Sequence, residues 1–498
     1  MSKSYELLKE HFRKLARLNH AVTFLQWDQL VMMPPGGNHS RSKSIAELSA
    51  MHHELLTSSY LAELLEKCLQ QECDDEAKRS LFEMSRVHQQ ALCIPSDLVK
   101  AKSLAGSLCE HGWRQQRKDN DWDSFLLNFK EVVNLSRQEA MARQSAASDR
   151  HKTPYDALLD LYCTGDSSEL IEQIFSGLKA ELPDLIRQIS ERQTTETVVF
   201  RGPFSTSAQK KLNQKLMGCL GFNFDQGRLD ESNHPFSTGD RGDHRITTRF
   251  RRNDFLDALQ ATAHETGHAS YEAGLPAKWE GLPIGSSRNM CIHESQSLLF
   301  EKHLFLSKAF LSFFTKLIHE YLPQTSEISS ERIWAACSHV RPSFIRVEAD
   351  EVSYPLHVIL RFEIESKLIN GELEAADIPE AWDDRMKKYL GLSTEGNYSN
   401  GCLQDIHWTD GSFGYFPSYT LGAVNSAQLF TTIKKEHSDW NERLGQGDIS
   451  FVHDWLKNTV WSKASSIDSQ EIIQQATGEG TNPGWFLAHL KERYINQD

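Results

Sequence analysis

The chain has little of what would tie it to nucleic acid, a membrane or an oxidising compartment. Its 498 residues carry a formal net charge of −14 and no long Lys/Arg cluster, so the basic stripe that a phosphate-binding surface needs is missing. No run approaches the roughly eighteen apolar residues that cross a bilayer. The opening stretch, MSKSYELLKEHFRKLARL, spreads charge at helical spacing where a secretory leader carries an apolar core and a small-residue cleavage site. The nine cysteines (Cys68, Cys73, Cys93, Cys109, Cys163, Cys219, Cys291, Cys337 and Cys402) are odd in number, scattered and never spaced C-x-x-C. That is the pattern of reduced, mostly buried thiols, and a cytoplasmic protein is expected. Repeats, low-complexity tracts and Pro/Ser linkers are absent as well. Length alone would suggest two or three domains, but without a linker one large helical domain over 1–498 is the better expectation.

What is present is helix after helix. Apolar positions recur at three- and four-residue spacing over 4–30 and 40–70, broken by Met-Pro-Pro-Gly-Gly at 33–37. This predicts a helical hairpin within an N-terminal region at 1–110. A polar, charged segment at 71–92 leads to amphipathic helices at 97–118 and 121–147, with Trp113, Trp122 and Phe125 as core. The pattern continues over 155–162, 167–192 and 207–220, with one strand-like run, Val-Val-Phe, at 198–200. Between 221 and 252, glycines and His234-Pro235-Phe236 break any long helix, and 244–250 alternates as a short strand does. An irregular stretch of this kind walls a substrate cleft. Further helices are predicted over 288–306, 307–320, 329–340, 344–370 (bent at Pro355), 374–390, 421–436, 450–461, 468–476 and 482–494. A second long loop, rich in Gly, Asn, Ser and aromatics, is expected at 393–420.

Residues 254–274 organise the rest. They read as one helix, capped by Asn253 or Asp254 and stopped at Gly274, with H-E-T-G-H at 264–268 inside it. Four-residue spacing stacks His264 and His268 on one face, able to present imidazole nitrogens to one ion. Glu265 projects beside them, placed to take a proton from an ion-bound water. A chain with 21 histidines can carry this pattern by accident. An accidental match need not fall inside a capped helix that Ala261, Ala263, Gly267 and Ala269 keep slim. A third ligand is required. Glu294, 26 residues after His268, returns on the next strong helix, and His293 is its rival, rotated about 100° from it, so one of the two faces the ion. The pair His52-His53 reads as surface, because no carboxylate or cysteine completes it.

Five further motifs stand in order around H-E-T-G-H. They are His-Pro-Phe at 234–236, Asp-His-Arg-Ile-Thr at 243–247, His-Glu-Ser-Gln at 293–296, Ile-Arg-Val-Glu-Ala-Asp at 345–350 and Gly-Cys-Leu-Gln-Asp-Ile-His-Trp at 401–408. With Phe-Leu-Gln-Trp-Asp at 24–28 and Gly-Tyr-Phe-Pro-Ser-Tyr-Thr-Leu-Gly at 414–422, they make the chain resemble the carboxypeptidase Taq, or M32, family of metallocarboxypeptidases almost end to end. The resemblance implies a mainly α, gluzincin-like fold: one large helical domain with a deep groove and a small β-sheet beside the HExxH helix. The metal site and substrate groove would fall within 230–420. It also implies peptide substrates, a homodimer and one divalent metal per chain, Zn2+ ahead of Co2+, with His264, His268 and Glu294 as ligands and Glu265 as general acid/base.

Other roles follow the same resemblance. Tyr419, ahead of Tyr415 and His407, is the candidate for stabilising the tetrahedral oxyanion. Arg245 and Arg346 are candidates for reading a substrate's free carboxylate, a task suited to the planar guanidinium. Without the motif match, each reads as an ordinary salt bridge. His234, Phe236, Gln404, Asp405, His407 and Trp408 are expected to line or shorten the groove, and Asp350 to orient a ligand histidine from behind. The expected activity is release of single C-terminal amino acids with broad specificity. A metalloendopeptidase or dipeptidyl carboxypeptidase would use the same ion site, and a non-catalytic helical binding protein is the remaining alternative.

Overall fold

Many helices begin where a short polar side chain accepts a hydrogen bond from the first turn: Ser58, Asp74, Asp121, Ser167 and Ser307 all do so. The computed structural model, which describes residues 3–147, 150–193 and 200–496, is helical over most of its length. Among the described residues there is one three-stranded sheet, and no helix is long and apolar enough to cross a membrane.

Several elements depart from the periodicity reading. The stretch 40–70 is two helices, Asn38–Leu56 and Ser59–Leu69, because Ser58 caps a new start. The polar segment at 71–92 contains a helix, Asp75–Leu92, whose charges serve the interior: buried Glu83 pairs with Arg79, Arg86 and Arg288. Pro355 does not bend a helix. The helix is Tyr354–Ile369 and Pro355 sits in its first turn, where a missing N–H costs nothing, while 344–353 is loop with one short turn at Arg346–Glu348. The predicted helix at 288–306 is α-helical over Met290–Leu298 and widens to a π-helix over Leu299–Phe305. The loop expected at 393–420 ends early, because the helix Pro417–Glu436 starts three residues before 420. Of the strand-like run at 198–200, Val198 and Val199 lie outside the described residues and Phe200 is not in a strand.

The sheet comprises β1 (Gly227–Glu231), β2 (Phe236–Asp240) and β3 (Asp243–Thr248), in the order β1-β3-β2. β1 runs parallel to β3 and β2 pairs with it as a hairpin. Alternation along β3 points Ile246 inward, against Leu229 and Ala269 of the HETGH helix, and turns Arg245 to the opposite face.

Two large hydrophobic cores meet along a seam, and the helices that carry the candidate site lie in it. Ile292 belongs to one core and its neighbour Cys291 to the other. The helix Pro417–Glu436 does the same, with Leu429 and Ile433 in the first and Leu421 and Val424 in the second. Two glycines let these helices touch backbone to backbone. A Cβ on Gly267 would sit 2.6 Å from Gln296 O and from Ser297 Cα, and one on Gly422 would sit 2.5 Å from Glu294 Cβ. Gly267→Ala is therefore expected to destabilise the protein by about 1–3 kcal/mol in urea unfolding. Gly218→Ala, in a helix with nothing within 4 Å of the added atom, is the control and is expected to be neutral or stabilising.

Candidate metal centre and its surroundings

The HETGH helix spans Leu256–Gly274, and Asp254 starts it, its Oδ1 accepting from Leu256 N at 2.8 Å. Gly274 does not end it by a left-handed cap. It is glycine because the Trp461 ring lies 2.3 Å from where a Cβ would stand. One turn apart, the His264 and His268 rings meet edge to face at 4.9 Å. Glu294 enters from the facing helix Met290–Leu298, and one ligand atom from each of the three lies within 4.8 Å of the others. His264 Nε2 is 3.7 Å from Glu294 Oε2. Glu294 is only 3% exposed and its hydrogen bonding is thin, with Ser297 Oγ at 3.5 Å.

Electrostatics agree with a cation-binding role. Burial raises the Glu294 carboxyl above its ordinary value. Burial, with the charges of Glu294 and Glu301 adding to it, pushes Glu265 up to about 7. Two imidazoles and a carboxylate form the N/O donor set of a divalent ion, and a buried carboxylate short of partners is the group such an ion neutralises. The residues fit a metal.

His293 does not enter this cluster. Its Nδ1 meets His268 Nδ1 at 2.5 Å and its Nε2 lies 2.8 Å from Glu272 Oε1. His264 Nδ1 faces Glu301 Oε2 at 3.0 Å, and Lys302 Nζ holds the other oxygen of that carboxylate at 2.6 Å. The motifs single out neither Glu272 nor Glu301, although both stand at legible spacings: Glu272 is four residues after His268 and Glu301 seven after Glu294. Asp350, expected behind a ligand histidine, is elsewhere. Its Oδ1 accepts from Val352 N and Ser353 N, both at 2.9 Å, and its Oδ2 from Arg341 N at 3.0 Å, so it braces the approach to the Tyr354 helix.

Beside the cluster lies a second buried group. Arg346, 5% exposed, has Nε 3.1 Å from Asp405 Oδ1 and Nη1 2.6 Å from Tyr354 Oη. Its guanidinium lies 5.1 Å from the Phe416 ring and 5.2 Å from the Tyr419 ring. Arg361, fully buried, takes the other oxygen of Asp405 at 2.5 Å. The two guanidiniums hold the Asp405 carboxyl down to about 2 against its burial, while burial and the Arg346 charge bring Arg361 down to about 10. Tyr415 and Tyr419 pack edge to face, their rings 5.3 Å apart, and burial raises both phenols; both also lie within electrostatic reach of Glu294. The His407 ring lies tilted against Phe416, 4.7 Å between centres, and burial, then Arg346, pushes its imidazole down to about 4.

The residues expected along a groove divide. Trp408 is 1% exposed, packs against Trp382 and Phe129, and donates from Nε1 to Glu365 at 2.7 Å, so it is core. Gln404 is used by the loop itself, accepting from Arg346 N at 2.8 Å and donating to Phe344 O at 3.0 Å, and Asp405 serves the arginines. On the sheet side, Phe236 is half-buried and His234 exposed in the turn before β2. Arg245 pairs through Nε and one Nη with Asp243, at 2.5 and 2.7 Å, under the rings of Trp27 and Phe24. A separate 550 Å³ cavity, lined in part by Arg241, Ser270, His453 and Lys457, opens behind the HETGH helix. Ser270 and Ala273 point well over 100° away from His264 and His268 around that helix, so the cavity is not the ion site.

A helical domain that brings H-E-x-x-H and a carboxylate from the next helix to one buried point is a metal-dependent hydrolase of the two-histidine, one-glutamate class. The carboxypeptidase Taq (M32) metallopeptidase family matches residues 7–494. Thermostable carboxypeptidase 1 of Thermus thermophilus is 34% identical over 501 residues, covering 99% of this chain and 98% of the relative. Carboxypeptidase 1 of Bacillus subtilis is 33% identical, covering 98% of each. Among solved structures, Trypanosoma cruzi metallocarboxypeptidase 1 superposes with a TM-score of 0.96 at 35% identity, over 99% of each chain. The M32 carboxypeptidase of Deinococcus radiodurans gives 0.94 at 30% identity, also over 99% of each. The chain belongs to the M32 family and is a metallocarboxypeptidase.

As a core residue, Trp408 has a predictable cost of removal. Trp408→Ala is expected to lose about 3–5 kcal/mol in equilibrium unfolding. A groove-wall residue would instead change KM and leave stability nearly untouched.

Proposed function

We propose that the enzyme releases single amino acids from the C-termini of peptides with broad specificity, using one divalent ion, Zn2+ ahead of Co2+, held by His264, His268 and Glu294. It acts as a cytoplasmic homodimer, with metal site and groove between residues 230 and 420. The observation that carries the reading is one unbalanced buried charge. Arg346 and Arg361 both pair with the one carboxylate Asp405, so Arg346 has only a shared counter-charge in a water-poor place beside the metal cluster. A substrate's terminal carboxylate is the anion that completes it. Arg245 is matched one to one by Asp243 and takes a secondary part, with His234 and Phe236, in limiting the groove.

His264, His268 and Glu294 would hold the divalent ion, which would supply Lewis acidity to a water and to the scissile carbonyl. Glu265, buried beside the cluster, accepts the water's proton and returns it to the leaving amine. Tyr419 donates a hydrogen bond from its phenol to the developing oxyanion, its ring held against Tyr415 and the Arg346 guanidinium. Gln404, Asp405 and Trp408 act indirectly, by fixing the loop that presents Arg346 and His407.

Three variants test these assignments. Glu265→Gln is expected to abolish peptide hydrolysis while fold and metal content persist; undiminished turnover would remove Glu265 from the chemistry. With paired peptides bearing free or amidated C-termini, wild type is expected to cleave only the free form, and Arg346→Met to lose most of that preference. Equal cleavage of both by the wild type would return the site to an endopeptidase. Tyr419→Phe is expected to lower kcat by about 100- to 1,000-fold, measured by steady-state kinetics with KM little changed.

A further inference from the structure

The two imidazoles of the metal cluster are supported differently. His264 Nδ1 meets a carboxylate directly, that of Glu301. His268 Nδ1 meets a second imidazole, His293 Nδ1, and only behind that does a carboxylate stand, Glu272, 2.8 Å from His293 Nε2. Proton positions follow from the chemistry of the end member. A carboxylate only accepts, so His293 Nε2 carries the proton that bonds Glu272, and neutral His293 has its lone pair on Nδ1. That lone pair accepts from His268 Nδ1–H. His268 Nε2 is then left with its lone pair free, which is the tautomer a metal ligand needs. With both imidazoles neutral, one arrangement of protons satisfies all three side chains.

The elements enforce this order. His264, His268 and Glu272 recur every four residues along one face of the HETGH helix. His293 comes from the facing helix, one residue before Glu294, so the residue beside one ligand clamps another. Ring packing keeps it there: the His293 ring lies 4.5 Å from that of His268 and 5.4 Å from that of Tyr271.

The geometry points to His293 and Glu272 as positioning residues acting in series: together they hold His268 in its Nδ1–H tautomer and thereby set the affinity of the cluster for its ion. Glu301 does the same for His264 by a separate route. The inference rests on the proposed His264, His268 and Glu294 ligand set, and the experiment separates failure of the two.

Zinc affinity is measured on the full-length enzyme by competition with a chelator of known affinity, for wild type, Glu272→Gln, His293→Phe, the double variant, Glu301→Gln and His293→Asn. Each single variant other than His293→Asn is expected to bind zinc about 10- to 100-fold more weakly. The double variant is expected to lose no more than His293→Phe alone, because Glu272 acts only through His293, whereas the Glu301→Gln loss multiplies with either. His293→Asn, whose amide oxygen can stand where Nδ1 stood and accept from His268, is expected to recover part of the affinity lost in His293→Phe. Thermal unfolding of the metal-free forms identifies any variant weakened by general misfolding. Unchanged zinc affinity in Glu272→Gln and His293→Phe, or a Glu272→Gln loss that persists undiminished in the His293→Phe background, overturns the relay. A wild type that binds no zinc at one equivalent overturns the ligand assignment beneath it as well.

Discussion

Backbone against backbone at Gly267 is the constraint on which the site depends. Two helices carry the ion-binding residues, and how near they come decides whether Glu294 reaches His264. With no Cβ in the way, Gly267 lies directly on Gln296 and Ser297, and Gly422 admits the next helix against Glu294 in the same manner. The approach is fixed from both sides, since Cys291 and Ile292 anchor the Glu294 helix in two different cores. Close-packed interiors deform little, so the ligand atoms inherit the rigidity of the cores rather than the mobility of a loop.

Charge placement gives the surroundings their direction. On the helix side, the carboxyls of Glu265, Glu272, Glu294 and Glu301 crowd around His264, His268 and His293 with Lys302 as the nearby fixed cation, so carboxyls outnumber lysines and arginines there. On the loop side, Arg346 and Arg361 outnumber Asp405, so the interior there is short of negative charge. Burying either excess is costly unless something completes it. A divalent ion completes the first and a carboxylate the second.

Much of this was legible in the chain. The helical period gave most elements and stacked His264 with His268, while spacing left Glu294 and His293 as rivals for the third ligand and the family motifs favoured Glu294. What escaped did so for physical reasons. Trp408 and Gln404 sit in a motif full of polar and aromatic residues, where a residue that frames a loop and one that touches substrate look alike. Arg361 reads as an ordinary surface charge on an amphipathic helix, and its complete burial follows only from the partner Asp405, 44 residues away. Pro355 fits a helix start as well as a bend, and the difference is set by the loop that Asp350 ties down before it. The π-helical turn at Leu299–Phe305, from which Glu301 meets His264, leaves no signature in the apolar spacing.

The two unbalanced sites also bear on why cleavage would start from a chain end. An internal peptide segment offers the loop side nothing to match the Arg346 charge, so placing it there buries a guanidinium excess without a counter-ion. A C-terminal carboxylate removes that penalty, so the loop side orients the peptide by its end. Under the proposed reading, then, directionality needs no closed wall at the end of a groove. It follows from a buried guanidinium that needs a counter-ion, set beside a metal cluster whose helix spacing Gly267 and Gly422 define.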